Sequence, residues 1–252
     1  MTAAQAPVPT AGPLALSWSG GKDSAFALRE LRGEHGVEPR ALVTTVTEGY
    51  ERVSMHGVRR ELLERQAAAA GVPLVEVPIP PHCTNDVYEA RMAHALASAE
   101  LRGVGAVAFG DLFLEDIRAY RERQLAAAGK RAAFPLWGRD TTELAQAIIR
   151  AGFEAVVVCV DPEQLDPSFA GRRYDRRLLA DLPEDVDPCG ENGEFHTFVF
   201  DGPVFRQRVH CRVGEVTVRG GFVFCDLLPG PPAGGGQRGG PRRPGPRPRL
   251  ED

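Results

Sequence analysis

Along the first half of the chain, short apolar runs alternate with stretches whose apolar positions have helical spacing. The apolar runs have strand length and cover residues 14–18, 40–47, 74–77 and 106–109. Strands that alternate with helices predict a parallel sheet covered by helices on both faces. The pattern therefore predicts an α/β fold, and ligands in such folds bind at the carboxyl ends of the strands.

The pattern changes in the second half. A helix over 141–151 and an apolar strand over 153–160 precede a proline-rich segment, and residues 195–228 form short apolar runs separated by glycine turns. This change predicts a second, smaller domain. The expected division is a disordered leader at 1–13, a first domain at 14–130, a second domain at 131–228 and a disordered Pro/Gly/Arg tail at 229–252.

Composition narrows the class of protein. Of the 252 residues, 43% are hydrophobic and 25% charged, and no apolar run reaches the length that spans a bilayer, so we expect a cytoplasmic protein without a membrane partner. The five cysteines include no C-x-x-C pair, which argues against disulfides and against a zinc or iron–sulfur site. The net charge of -4 argues against a nucleic-acid partner. Arginines outnumber lysines 28 to 2, as in GC-rich genomes, most simply bacterial ones.

The first stretch with dense chemistry is the junction between the first predicted strand and helix. Two glycines there allow a sharp turn whose N–H groups, with the helix N-terminus, suit a phosphate. Lys22 adds a mobile positive charge, and Asp23 or Ser24 is expected to cap the helix. The spacing is not the Walker pattern, and an ordinary polar turn is the alternative interpretation. The candidate ATP-binding residues are Ser19, Gly20, Gly21, Lys22, Asp23 and Ser24, with Thr44, Gly110 and Asp111 at the carboxyl ends of other strands.

The second such stretch is Glu191-Asn192-Gly193-Glu194-Phe195-His196-Thr197. If the backbone is extended from Glu194 onward, Glu194 and His196 lie on one face, because side chains alternate with a period of two. A carboxylate beside an imidazole raises the imidazole pKa and fixes its tautomer, which predicts an acid/base pair. The alternative is a polar turn with a hydrogen-bonded histidine at the start of a strand.

The two stretches together resemble one family. Ser19-Gly20-Gly21-Lys22-Asp23-Ser24 is similar to the SGGxDS loop of the PP-loop ATP pyrophosphatases, and Glu191 to Thr197 resembles the diphthine–ammonia ligase branch of that superfamily. The resemblance extends over about residues 14–228. It also includes His56-Gly57-Val58-Arg59, Phe109-Gly110-Asp111, Glu115-Asp116-Ile117-Arg118, Tyr120-Arg121 and Pro135-Leu136-Trp137.

The resemblance implies a five-stranded parallel sheet of the PP-loop type and a smaller C-terminal α+β domain. It implies an ATP-dependent amide ligase that activates a carboxylate as an acyl adenylate and releases AMP and pyrophosphate, with Mg²⁺ as a second cofactor. The catalytic residues would be Lys22, Glu194 and His196, and Asp23 and Asp111 would help to hold the metal. The substrate-binding residues would be His56, Arg59, Arg118, Arg121, Glu191, Asn192 and Thr197.

The expected partners are ammonia and a carboxylate-bearing small molecule or protein. The characterised substrate of the family is diphthine, a modified histidine of elongation factor 2, and a bacterial source would leave a different acceptor open. Two other functions remain open, a nucleotide-binding sensor with little turnover and a tRNA-modifying PP-loop enzyme. For Arg118, a solvent-exposed ion pair within its helix is the alternative to a role in the site.

Overall fold

A computed structural model describes residues 12–50, 52–53 and 57–231. The first part of the chain contains β1 (Leu14–Ser17), α1 (Lys22–Gly33), β2 (Ala41–Thr47), β3 (Arg52–Val53), α2 (Arg60–Ala70), β4 (Leu74–Ile79), α3 (Asn85–Leu96), β5 (Ala106–Ala108), α4 (Glu115–Ala127) and β6 (Arg131–Ala133). The remainder contains α5 (Thr141–Arg150), β7 (Glu154–Val160), a 3-10 turn (Pro167–Phe169), α6 (Arg176–Asp181), β8 (Phe195–Asp201), β9 (Cys211–Arg219) and β10 (Phe222–Pro229).

The first sheet is mostly parallel, as the sequence pattern predicted. Five parallel strands lie in the order β4, β2, β1, β5, β6, and the short β3 pairs antiparallel with the end of β2. β1 is central, and its Leu16 lies between Leu42 of β2 and Ala108 of β5. The carboxyl end of β1, which leads into the predicted phosphate loop, is therefore flanked by strands on both sides.

Alternate residues of the central strands enter two apolar clusters, one on each face of the sheet. Leu14 and Leu16 pack with residues of α1 and α2, whereas Ala15 packs with Leu96 of α3 and Leu125 of α4. Side chains on successive strand positions point to opposite faces, so a strand buried on both sides must be apolar throughout. This explains why β1 has no polar position before Ser17.

The second sheet is antiparallel, with the strand order β8, β7, β10, β9. Its buried residues join the cluster that contains α1, and the rings of Phe26 and Phe153 lie 5.9 Å apart. β8 also contacts the phosphate loop directly, because the amide of Val199 donates to the carbonyl of Gly20 at 2.9 Å. The start of β8 is thereby brought to the carboxyl ends of β1 and β5.

The fold agrees with the predicted class, an α/β domain followed by a smaller α+β region. The domain division at residue 130 remains a prediction, and β6, which follows that position, belongs to the first sheet. β10 extends through Pro229, the first residue of the predicted disordered tail. Residues 1–11 of the predicted leader and 232–252 of the predicted tail lie outside the described ranges. Among the helices of the described ranges, none has the length and apolar character required to cross a bilayer.

Candidate active site

The predicted phosphate loop connects β1 to α1 in a tight turn. Gly20 has a φ of +78°, and a side chain there would meet Gln66 Oε1 at 2.7 Å, so only glycine fits. α1 begins at Lys22, with Gly21 as an N-cap residue that provides no side-chain hydrogen bond. The prediction that Asp23 or Ser24 caps this helix is therefore wrong, since both lie within its first turn. Ser24 Oγ instead donates to the Gly21 carbonyl at 3.0 Å.

Lys22 is buried between the two sheets, although lysine is rarely buried. Its ammonium donates to Asp23 Oδ2 at 2.8 Å and to the Cys189 carbonyl, and it lies 5.5 Å from the ring centres of Tyr174 and Phe195. Burial alone would lower the pKa of Lys22, but the charge of Asp23 and the neighbouring acceptors raise it. The site therefore contains a fixed, desolvated positive charge.

Two predicted metal ligands, Asp23 and Asp111, also line the site. Asp23 Oδ1 is buried and lacks a hydrogen-bond partner among the described residues, and burial raises the pKa of this carboxyl. Asp111 accepts hydrogen bonds from Nε and Nη2 of Arg121, and this guanidinium lies 4.3 Å from the ring centre of Phe109. The described residues contain no group of three or more His, Cys, Asp or Glu arranged around one metal position. Mg²⁺ in nucleotide sites commonly takes one or two carboxylates together with phosphate oxygens and water, so the free oxygen of Asp23 fits such a role.

Gly110 is the point where β5 meets the phosphate loop. A Cβ atom at this position would lie 2.9 Å from the Asp23 carbonyl carbon and 3.0 Å from the Ser24 amide nitrogen. Such distances to backbone atoms cannot be relieved by rotating a side chain. The first turn of α1 therefore packs directly on the backbone after β5, and only glycine allows this approach.

The second predicted stretch forms a turn before β8. Glu194 is buried, and its Oε1 accepts from the Asp187 amide at 3.0 Å and from Asn192 Nδ2 at 2.9 Å. Glu191 accepts from the Leu112 amide at 2.7 Å. Thr197 Oγ1 accepts from the Lys22 amide at 3.1 Å, so β8 supplies the hydrogen bond that α1 lacks at its own N-terminus.

His196 lines the site, but Glu194 does not raise its pKa as predicted. Burial and the charge of Lys22 lower the pKa of His196 to about 4. The expected rise in the pKa of His196 is therefore wrong. The Glu194 carboxylate is directed into the turn, where it bonds Asp187 and Asn192, and the imidazole is neutral at pH 7.

Glu191 is the carboxyl of this stretch that lines the cavity. Burial raises its pKa to about 7, and the charges of Asp23 and Asp111 act in the same direction, against the opposing effects of the Leu112 amide and Lys22. A carboxyl with such a pKa exchanges protons near neutral pH. Perturbed groups of this kind concentrate at functional sites.

These groups surround a cavity of about 270 Å³. It is lined by Ser17, Ser19, Gly21, Lys22, Asp23, Ser24, Phe109, Gly110, Asp111, Leu114, Arg121, Cys189, Gly190, Glu191, Phe195, His196 and Thr197. Larger surface grooves of about 530 and 650 Å³ contain none of the loop residues. The small cavity is the candidate active site, because the chemistry of both predicted stretches converges there.

Several predicted site residues lie elsewhere. Thr44 is buried in β2, and Arg59 forms a two-pronged ion pair with Asp226 of β10. Arg118 stacks 4.7 Å from the ring centre of Trp137 and forms an ion pair with Glu122 of the same helix. An ion pair within its helix was the alternative prediction for this residue. The backbone of Gly20 and the side chains of Asn192 and Glu194 support the cavity without lining it. His56 lies outside the described residues.

Sequence reasoning missed residues that surround the loop. Gln66 lies on the apolar face of α2, four residues after Leu62, and a polar residue on such a face was the available signal. Tyr174, which donates to the Pro188 carbonyl at 2.7 Å, had no comparable signal. Its position beside Lys22 depends on contacts between distant segments.

The stability of the ligand-free protein is expected to depend on Glu191 between pH 4.5 and about 7. The folded pKa is raised above the ordinary value of 4.5, so the folded state binds more protons in this window, and stability falls as pH rises. Glu191→Gln should remove this loss, which we expect to be on the order of 2 kcal/mol. Urea unfolding at several pH values measures it. His196, with its lowered pKa, opposes this trend in both proteins, so the difference between them isolates Glu191.

Glu184→Gln, at an exposed position, is the matched control, and its stability should depend on pH in the same way as that of wild type. Equal profiles for wild type and Glu191→Gln would contradict the assignment of a raised pKa to Glu191.

A parallel sheet with a glycine-rich loop after its central strand, and a buried lysine at the start of the next helix, defines a nucleotide-binding α/β protein of the PP-loop type. The chain matches the diphthamide synthase N-terminal domain over residues 13–132 and the diphthamide synthase C-terminal domain over residues 140–227. It belongs to the diphthamide synthase, or diphthine–ammonia ligase, family.

Individual relatives have modest identity to this chain. The diphthine–ammonia ligase of Bos taurus is 24% identical over 230 residues, which cover 83% of this chain and 86% of that protein. The diphthine–ammonia ligase of Homo sapiens is 29% identical over 97 residues, 36% of each chain. That of Schizosaccharomyces pombe is 26% identical over 126 residues, which cover 48% of this chain and 21% of that protein.

Proposed function

We propose that this protein is an ATP-dependent amide ligase that activates a carboxylate as an acyl adenylate and transfers the acyl group to ammonia. The observation that carries the proposal is the convergence of Lys22, the phosphate loop and the Glu191–Thr197 stretch on one cavity. The names of the relatives, diphthine–ammonia ligases, support the same reaction class.

The loop side of the cavity is suited to the β- and γ-phosphates of ATP. The amides at the start of α1 and the ammonium of Lys22 present positive charge in a desolvated position, where it stabilises a departing pyrophosphate more strongly than in water. Asp23 Oδ1 would hold a Mg²⁺ ion, which would neutralise phosphate charge when bound. The carboxylate of the acceptor would attack the α-phosphorus, and the bond to the pyrophosphate oxygen would break.

The opposite side of the cavity is suited to the second half-reaction. At neutral pH ammonia is mostly present as ammonium, which must lose a proton before the nitrogen can attack the acyl carbon and displace AMP. Glu191, with a pKa of about 7, is better suited to accept this proton near neutral pH than His196, whose pKa is about 4. The neutral imidazole of His196 would accept a hydrogen bond from the same nitrogen. We therefore assign the base to Glu191, and we assign Glu194 to holding the turn.

The acceptor is proposed to be a carboxylate-bearing protein or small molecule. A diphthine-bearing protein is the first candidate because the relatives carry that name. Incubation of the purified protein with ATP, Mg²⁺, ammonium and a panel of carboxylates tests the proposal. Acceptor-dependent release of AMP and pyrophosphate is expected, whereas release of ADP and phosphate would contradict it. Tight ATP binding without turnover for any acceptor would favour the sensor function.

Glu191→Gln is expected to lower amide formation on the order of 10²-fold while leaving ATP affinity near that of wild type, because the change removes a base and not a phosphate contact. Amide product and ATP affinity are measured separately, the latter by calorimetry. The exposed Glu184→Gln, from the loop that precedes the same turn, serves as the control. Loss of ATP affinity in Glu191→Gln comparable to the loss of rate would contradict this division of roles.

A further inference from the structure

Gln66 is a fully buried polar side chain whose hydrogen bonds join three elements. Its Oε1 accepts from Trp18 Nε1 at 3.0 Å, and its Nε2 donates to the carbonyls of Gly20 at 3.0 Å and Val199 at 2.5 Å. A buried amide is costly unless its polar atoms have partners, and here both ends have them. α2, the phosphate loop and β8 therefore meet at this one side chain.

The contact with Gly20 determines how the loop presents its next amide. The Gly20 carbonyl accepts from Gln66 and from the Val199 amide. A trans peptide directs its C=O and N–H to opposite sides, so the Gly21 N–H points away from Gln66. It donates to Ser19 Oγ at 3.2 Å, and both residues line the cavity. Two adjacent glycines offer little steric resistance to a flip of this peptide. A flipped peptide would present a carbonyl oxygen to the phosphate and repel it.

We propose that Gln66 is a positioning residue that locks the Gly20–Gly21 peptide with its N–H on the cavity side, where a nucleotide phosphate would replace Ser19 Oγ as its acceptor. This inference rests on the proposed ATP site. The same Nε2 contacts β8 at Val199, and β8 also carries His196 and Thr197. Gln66 thus holds the phosphate loop in fixed register with the strand that completes the cavity.

The test compares ligands that contain the pyrophosphate group with one that lacks it. In Gln66→Met, which keeps the length of the side chain but lacks its donor and acceptor, affinity for ATP and for inorganic pyrophosphate should fall about tenfold. Affinity for adenosine should stay within about twofold of wild type. Calorimetry on the full chain measures all three. The exposed Gln146→Met on α5 is the matched control and should bind all three ligands like wild type.

Each outcome has a defined meaning. Unchanged ATP and pyrophosphate affinity in folded Gln66→Met overturns the inference, and an equal loss for adenosine does so too, because it indicates general disruption. Wild type that binds no ATP overturns the proposed function, and the inference falls with it. If Gln66→Met does not fold, wild type is tested by nuclear magnetic resonance. Pyrophosphate should then shift the Trp18 indole N–H signal and leave the Trp137 signal unchanged. A Trp18 signal that does not move overturns the inference.

Discussion

Lys22→Ala is expected to reduce ATP-dependent turnover on the order of 10³-fold. The substitution removes the positive charge that would stabilise the departing pyrophosphate. It also leaves Asp23 in a buried position without its partner, which favours the neutral form of that carboxyl. The measurement is the rate of pyrophosphate release with saturating ATP and acceptor. Lys22→Arg should rescue little activity, because the ammonium is enclosed by the Tyr174 and Phe195 rings and the Cys189 carbonyl.

The chain provides a natural control for this experiment, since it has only one other lysine. Lys130 donates to the Val104 carbonyl at 2.6 Å and lies outside the cavity. Lys130→Ala should keep the turnover of wild type. Turnover by Lys22→Ala within a few-fold of Lys130→Ala would rule out the proposed role of the Lys22 ammonium.

Gly110→Ala is expected to lower kcat/KM for ATP by about 10³-fold, because displacement of the loop weakens several donors at once. The new methyl group would lie 2.9 Å from the Asp23 carbonyl carbon, so the backbone after β5 or the first turn of α1 must move. Overpacking of this kind should also destabilise the fold by about 1–3 kcal/mol. Steady-state kinetics at varied ATP and thermal unfolding measure the two effects.

Gly105 lies just before the same strand and is the matched control. A Cβ atom at Gly105 would meet no atom within 4 Å, and its φ is not in the left-handed region. Gly105→Ala should therefore have a kcat/KM within a few-fold of wild type. Its free energy of unfolding should stay within about 0.5 kcal/mol of wild type. Wild-type kinetics in Gly110→Ala would show that the close approach of β5 to the loop is not required for ATP use.

Patterns within short stretches of sequence predicted most of the fold. The apolar runs at 14–18 and 40–47 became adjacent parallel strands. Both stretches that were chosen for their dense chemistry reached the same cavity. These features depend on backbone propensity, apolar periodicity and motif spacing, which are properties of neighbouring residues.

The sequence by itself thus determined the α/β class, the family and the two segments that line the candidate site. Only the tertiary structure decided which carboxyl of the Glu191–Thr197 stretch lines the cavity, and it placed Glu191 there and Glu194 in the turn. It also decided that the pKa of His196 is lowered and which groups Gln66 contacts. The physical reason is that burial, charge and hydrogen bonding at these groups come from residues far away in the chain, such as Lys22 beside His196 and Val199 beside Gln66.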